Sequence, residues 1–345
     1  MIRVENSFAN IETDWNRLYN YGNYSVFQSY AYNKISFDYI QKKKVELYLL
    51  CYRNPNNQLQ AILPTYLYSG ELSFINDRNT DFCDIIIDEN AKKHDIFSEL
   101  FDFIQHDDNV KSITLDNIRP GSLLLPYFRI YSRSSLIYCI NEYSYLSCCP
   151  LANVYDNFCN LNNDKKKKLK KIVATTKEYT FQMFKKKLEH QFPKKQLLEI
   201  SSVMVKKGLR SANTFNDSFW SFVEACFDSN LIEIGILEEE GNPVSAGMVF
   251  FNKNISVRWV ILYTEPKYNL WNNTHYIINK CSTISSNYEI NFGRGGYDYK
   301  INNFKPELSL LYRLSYSKTI CGGISQTFKA LFYFFKLIIK PIIRR

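Results

Sequence analysis

Residues 291–300 read Asn-Phe-Gly-Arg-Gly-Gly-Tyr-Asp-Tyr-Lys. This decapeptide gathers a guanidinium (Arg294), a carboxylate (Asp298), a phenol (Tyr299) and an ammonium (Lys300) beside three glycines. Such groups can accept a proton, donate one, or steady a developing negative charge. Glycine tolerates positive φ and lets a ligand or another backbone come close. A glycine-rich turn at the end of the apolar run from Tyr288 to Phe292 therefore suggests a site. An ordinary glycine-punctuated loop would look the same in isolation, and only the order of the preceding segments separates the two.

Residues 11–40 read as helical around Trp15 and Leu18. Strand-like runs follow at Val45–Tyr52, Leu59–Leu67, Glu71–Ile75 and Ile85–Ile87, the first two joined as a hairpin by Asn54-Pro55-Asn56-Asn57. A helix over Lys92–Ile104, a strand at Ser112–Leu115 and a helical turn opened by Arg119-Pro120-Gly121-Ser122 complete a first block, residues 1–145. Residues 151–210 read as helical with one break at Pro193 and carry the cations Lys165–Lys168, Lys170 and Lys171, which fit a solvated helix or arm. They open a second block, residues 146–318. In it a helix (Phe215–Phe227) precedes strands at Ile232–Leu237, Val244–Phe251 and Ser256–Tyr263, with Glu238–Glu240 at a solvated hairpin tip. A helix from about Asn272 or Thr274 to Ser286, the strand into the glycine turn and a last strand at Ser309–Ser315 finish it.

Composition bounds these blocks. The chain has 345 residues, 46% hydrophobic and 16% aromatic, enough for two cores. Nine cysteines without a Cys-x-x-Cys pair point to a reducing compartment and no disulfide framework. Four histidines at no metal-ligand spacing lead us to expect no metal. The start of the chain lacks the apolar core of a signal peptide, which predicts a cytoplasmic protein. Of the net charge of +9, residues 151–215 carry +10 and residues 319–345 carry +5, which leaves −6 for the rest. Basicity is thus confined to one connecting segment and the tail. In the tail, Lys329, Lys336 and Lys340 fall on one side of a helix and the remainder is apolar and short of a bilayer span. Such a helix fits the headgroup region of an anionic inner leaflet, contacted through residues 327–345.

The ordered set resembles a known family. The hairpin with Ala246-Gly247 on its second strand, a third strand, a helix, then a strand into Gly-Arg-Gly and Tyr-Lys is similar to the C-terminal half of the FemAB-like, CelD-type acyltransferases of the GNAT superfamily. Phe27-Gln28-Ser29 after Trp15, Ala61-Ile62-Leu63-Pro64, Thr80-Asp81-Phe82-Cys83-Asp84 and the lysines at 165–171 resemble further stretches of that family. The chain departs from its pattern at Asn291, where an acid is usual, at Trp271–Thr274, where Pro-Gly is usual, and at Met204–Lys207, where Arg-Trp is usual. The resemblance implies an α/β (α+β) fold: two tandem GNAT-like domains with mixed sheets, a basic helical linker within the second, and an amphipathic tail helix over 319–345.

It also implies a site. An acyl-CoA, acetyl-CoA or a longer one, would lie where two central strands part. Gly247 and Val249 would lie beside its arm, and its pyrophosphate would sit at a helix tip formed by Asn272, Asn273 and Thr274. Attack of a hydroxyl or amine on the thioester would use Asp298 as base and Tyr299 or Lys300 as proton donor or oxyanion stabiliser, with Arg294 and Gly295 as substrate contacts. On a strand Tyr299 and Lys300 would face opposite ways, so one alone would line the pocket. The expected enzyme acylates a sugar or glycolipid in surface-polysaccharide or envelope synthesis, held on the cytoplasmic face of the membrane. Nucleic acid is expected only in an alternative, aminoacyl transfer from charged tRNA as in the Fem branch. A third reading is a membrane-associated scaffold without catalysis.

Overall fold

Pro64 cannot donate to a sheet ladder, so the run from Leu59 to Leu67 breaks there, and Tyr48 marks the matching break in its partner. The computed structural model describes residues 1–39, 45–75, 77, 79–150, 154–158, 161–175, 178–295 and 298–343, with the backbone alone at 154 and 336–343. It divides into two compact units, residues 1–142 with 309–345, and residues 143–308.

The first unit begins with β1 (Ile2–Glu5), α1 (Glu12–Tyr21) and α2 (Tyr30–Asp38), then β2 (Glu46–Leu47), β3 (Leu49–Arg53), β4 (Leu59–Leu63), β5 (Thr65–Tyr68) and β6 (Glu71–Phe74). It continues through β7 (Ile86–Ile87), α3 (Lys93–His106), β8 (Ser112–Ile118), α4 (Leu124–Tyr131) and the start of β9 (Leu136–Cys148). One sheet has the order β1-β3-β4-β7; in another, β8, β6, β5 and β2 are neighbours in that order. The breaks at Tyr48 and Pro64 are where the β3–β4 hairpin passes from one sheet to the other as β2–β5. The helix α3 buries Ile96, Phe97, Leu100, Phe101 and Ile104 against the sheet, at the i, i+4 spacing expected of an amphipathic helix.

In this unit β6 and β8 run parallel only over Glu71–Ser73 and Ser112–Thr114. Past that point the chain's own segment lies along β8. Asn117, in the left-handed region at φ 60, donates from Nδ2 to Asp77 O at 2.7 Å and Thr80 O at 3.0 Å, and Cys83 N donates to Asn117 O at 3.0 Å. Here two of the three N-terminal family-like stretches meet. Gln28 Nε2 donates to Phe82 O at 2.8 Å, the Tyr32 hydroxyl is 2.8 Å from Thr80 Oγ1, and Phe27 and Phe82 pack edge to face. Asp84 accepts from Ser122 Oγ at 2.6 Å and Ile85 N at 2.8 Å.

The second unit takes up the rest of β9 and continues with α5 (Asn163–Ala174), β10 (Tyr179–Phe184), α6 (Lys194–Lys206), α7 (Asp217–Asp228), β11 (Ile232–Glu239), β12 (Asn242–Phe251) and β13 (Ile255–Tyr263). Then come α8 (Pro266–Cys281), β14 (Tyr288–Arg294), α9 (Asp298–Phe304) and the start of β15 (Glu307–Ser317), which leads back to the first unit and α10 (Ile320–Ile343). The strand order is β10-β11-β12-β13-β14-β9. The expectation of an all-helical 151–210 is corrected here, because Tyr179–Phe184 pairs antiparallel with β11 as an edge strand. Phe181 and Met183 reach over Gly235, the one β11 position without a side chain to block them. In α5, Leu169 and Ile172 turn inward while Lys167, Lys168, Lys170 and Lys171 stay exposed, a solvated basic helix. Helix, sheet and connection order agree with the expected mixed α/β, tandem GNAT-like class.

Desolvation around the Asp84 carboxyl pushes its pKa up to about 6, against the Ser122 and Ile85 hydrogen bonds that pull it down. A raised carboxyl pKa means the folded state resists ionisation that the unfolded chain accepts. Stability is then lost as pH rises from the ordinary carboxyl range to about 6. Asp84→Asn should flatten this slope: its Tm, measured against pH, should gain on the natural protein between pH 4 and pH 6. Parallel Tm profiles would count against the desolvated carboxyl.

Candidate functional site

The feature on which a transferase reading turns is the pairing of β13 with β14. The two strands are parallel neighbours over three positions only, Ile255 with Glu289, Ser256 with Ile290 and Val257 with Asn291. Beyond them β13 continues to Tyr263 held by β12, and β14 continues to Arg294 held by β9, the latter through a register shift between Asn291 and Arg294. The strands therefore part. The last six residues of β13 carry an edge with no β14 partner among the described residues.

A bulge sits at the point of parting. Val249 pairs with Arg258 and Met248 with Val260, so Trp259 is the extra residue. Its ring packs on Phe219, Phe222 and Phe250, on the α7 side. Arg258 takes the opposite face, under α8, and is only 3% exposed. A buried guanidinium needs partners. Its Nε donates to Asn273 Oδ1 at 3.1 Å and its Nη2 to Asn272 Oδ1 at 2.6 Å, and it lies 4.4 Å over the Tyr276 ring. Asn272 in turn donates to Gly235 O at 2.9 Å, and Asn273 to Asn269 O at 2.9 Å. Among the described residues Nη1 has no hydrogen-bond partner, and burial pushes the guanidinium pKa down to about 10.

This network relocates three expected cofactor residues. The helix α8 begins at Pro266, with Glu265 at its N-cap, and not at Asn272 or Thr274. Proline at the first helical position sets φ for the helix and gives up an amide that would be unpaired there anyway. Asn272, Asn273 and Thr274 lie two turns in and are fully buried, their amides inside the helix and their side chains serving Arg258 and, for Thr274 Oγ1, Leu270 O at 2.8 Å. Gly247 keeps its place opposite Gly235, but the space above its Cα is filled. A Cβ there would lie 2.4 Å from Arg258 Nη2 and 2.6 Å from Asn272 Oδ1. Val249 is buried in the core cluster that contains Tyr276 and Ile277.

The tip of α8 is short of backbone donors and carries charges of both signs, with Lys207 Nζ donating to Thr264 O at 3.0 Å. Glu265 is paired with Lys267 at 3.7 Å, Pro266 has no amide, and no side chain caps the helix. Glu239, expected at a solvated hairpin tip, instead accepts hydrogen bonds from the Tyr179 and Tyr268 hydroxyls, which hold its carboxyl below the usual range. An anion arriving here meets two carboxylates beside the ammonium groups of Lys267 and Lys207, and one fewer N–H than a helix start normally offers.

The glycine turn is built around Lys300. Gly293 and Gly295 adopt φ 72 and 88, and Asn291 Oδ1 accepts from Gly293 N at 2.8 Å, using the position where the family-like pattern has an acid. Lys300 Nζ then donates to Phe292 O at 2.7 Å, Gly295 O at 3.1 Å and Arg294 O at 3.3 Å. Asp298 to Phe304 forms a helix, not a strand, so successive side chains are turned by about 100° and not to opposite faces. Lys300 is buried in the turn, Tyr299 is half-buried within the field of Arg258, and Asp298 is exposed. Arg294 is half-buried and Gly295 buried; Gly296 and Tyr297 lie outside the described residues. Arg258 on β13 and Tyr299 on α9 thus lie within electrostatic reach of one another, while Lys300 holds the shape of the turn. Arg258 and Glu239 were missed in the sequence, although a lone arginine in the apolar run Ile255–Tyr263 is a signal, since buried arginine is rare unless paired.

No family model and no curated protein matches the chain. Solved structures do. The C-terminal domain of an Agrobacterium fabrum protein assigned as a lysylphosphatidylglycerol synthetase superposes with TM-score 0.60 at 11% identity, over 93% of this chain and 96% of that one. A tandem GNAT protein from the clavulanic acid biosynthesis pathway gives TM-score 0.52 at 9% identity, over 92% and 98%. A GNAT-family acetyltransferase from Colwellia psychrerythraea gives 0.51 at 8%, over 92% and 100%. At these identities the likeness establishes the fold: a tandem GNAT-like architecture.

Three substitutions test the local physics. Gly247→Ala should cost about 1–3 kcal/mol by forcing the guanidinium off Asn272. Denaturant titration checks it, and an unchanged midpoint would mean the network yields freely. Lys300→Ala should lose at least about 2 kcal/mol, since three carbonyls lose a charged donor. The exposed Asp298→Asn should stay within about 0.5 kcal/mol of the natural protein.

Proposed function

We propose that this chain is an acyltransferase whose reaction takes place where β13 and β14 part, and that its donor is an acyl-CoA, acetyl-CoA first. The observation that carries the reading is the three-residue limit of the β13–β14 pairing. It leaves an open strand edge against which an extended amide-bearing arm can hydrogen-bond as an added strand would. The acceptor's hydroxyl or amine attacks the thioester carbonyl, forming a C–O or C–N bond as the C–S bond breaks. The acceptor's proton passes to a base, for which exposed Asp298 is available, and the departing thiolate takes a proton from Tyr299. Arg258, buried and within electrostatic reach of Tyr299, favours negative charge at that place. We assign the acceptor to the sugars or glycolipids of envelope or surface-polysaccharide synthesis, on the cytoplasmic side of a membrane, where a membrane-affine tail would be useful.

A second reading is favoured by one specific observation, the proline start of α8, whose tip lacks the Pro266 amide and a side-chain cap and so suits a diphosphate less well. It is aminoacyl transfer from a charged tRNA, with the exposed lysines of α5 on the RNA phosphates. A fold-level likeness to a domain assigned as a lysylphosphatidylglycerol synthetase points the same way.

Calorimetric titration of the full chain with acetyl-CoA, longer acyl-CoAs and charged tRNA separates the readings. Saturable acyl-CoA binding is expected, and Tyr299→Phe should lower turnover by roughly 100-fold with donor affinity unchanged. Binding of charged tRNA alone, weakening steeply with salt, would transfer the assignment to the second reading. Binding of neither would leave a scaffold. Full turnover in both Asp298→Asn and Tyr299→Phe would overturn the residue assignment.

A further inference from the structure

The helix α10 is fastened along one narrow strip. Gln326 is buried and its Nε2 donates to Tyr316 O at 3.0 Å. Tyr333 lies 6.0 Å from the Tyr138 ring with the Arg313 guanidinium 5.0 Å over it, and Arg313 is itself paired with Asp116. The far side of the helix is apolar and uncovered. Ile320 is 84% exposed, Ile324 53%, Phe328 68%, Leu331 47%, Phe332 66% and Phe335 55%. Steps of three and four residues keep these side chains within one arc, opposite the strip that holds Gln326 and Tyr333. Scattered exposed apolar residues are ordinary, but a continuous row of three phenylalanines, two isoleucines and a leucine on one helix face marks an interaction surface.

We propose that this face docks on an anionic phospholipid bilayer, with α10 lying in the plane of the headgroup region between the lipid and the first unit. Charge decides for lipid over a second copy of the chain. Residues 319–345 contain five Lys and Arg and no Asp or Glu, so two such helices would bring cations together, whereas an anionic leaflet complements them. No helix among the described residues is long and apolar enough to cross a membrane, which leaves surface docking as the mode for α10. The aromatic rings suit the interfacial depth, where Lys329 can reach phosphate while its neighbours enter the acyl boundary. The inference stands apart from the choice of donor and acceptor.

Cosedimentation of the full chain with vesicles of phosphatidylcholine, with and without phosphatidylglycerol, tests it. The natural protein should pellet with the anionic vesicles and lose that binding as salt rises. The double variant Phe328→Ser, Phe332→Ser should bind at least about tenfold more weakly, since two buried rings are removed. Both residues are exposed, so its Tm and its donor titration should match those of the natural protein, which keeps a failure here distinct from a failure of the transferase reading. Equal pelleting of protein and variant would overturn the proposal. So would a natural protein that is a dimer without lipid and becomes a monomer in the double variant by analytical ultracentrifugation.

Discussion

A guanidinium buried without a carboxylate is the constraint around which the second unit is organised. Desolvating Arg258 is costly, and the fold meets that cost with two amide oxygens and an aromatic face, all three from α8. The consequences spread outward. Because Asn272 and Asn273 must face the sheet, α8 must begin early enough to place them in its middle turns, so its tip falls at Pro266. Because the guanidinium lies over β12, position 247 must lack a side chain, and Asn272 reaches through to Gly235 O on the next strand. A helix, three strands and a bulge are tied to one cation. That tie fixes where β13 stops pairing with β14.

The parted strands have a counterpart in the first unit. There too a short parallel pairing gives out after three positions, but the opening is taken by the chain's own residues, with Asn117 donating to backbone carbonyls along it. Phe27, Gln28 and the stretch Thr80–Asp84 are brought together for that purpose. Two similar frames thus differ: one is filled by its own peptide, and in the other the end of β13 has no β14 partner among the described residues. This asymmetry is why the chemistry is assigned to the second unit alone.

Much of the architecture was legible because it rests on local signals. The hairpins at Asn54–Asn57 and Glu240–Asn242, the amphipathic α3 and α7, and the strand entering the glycine turn follow from alternation and turn residues. The failures share a cause, which is that the deciding partner lies far away in sequence. Asn272 and Thr274 look like helix caps until Arg258 is placed beneath them. Strand β9 carries no alternation because most of its residues are half-buried on both faces, and β10 is hidden between lysine-rich runs and needs Gly235 to receive Phe181. Asp298–Phe304 looked sheet-like because nothing local tells that Lys300 will fold back onto the carbonyls of the turn. Among the candidate site residues, Tyr299 lies within the field of a charge that the decapeptide does not contain.

The same network bears on what the site can bind. Gly247 was expected to let a ligand come close, yet its open face is taken by the protein's own guanidinium, so a donor must lie further along β13, between Arg258 and Tyr263. There the edge offers alternating backbone amides and carbonyls, a pattern that matches an extended amide-bearing chain. The helix tip that would ordinarily hold the phosphates carries Glu265 and lacks the Pro266 amide, with Glu239 close by on Tyr268. A donor fitted to this unit through its arm would owe less to a diphosphate at α8, where one amide is missing, and cations beyond the engaged Lys207 and Lys267 would come from elsewhere. Among the described residues, the solvated lysines of α5 are one such reserve, and they are the part of the chain where a long polyanion, not a compact diphosphate, would gain most.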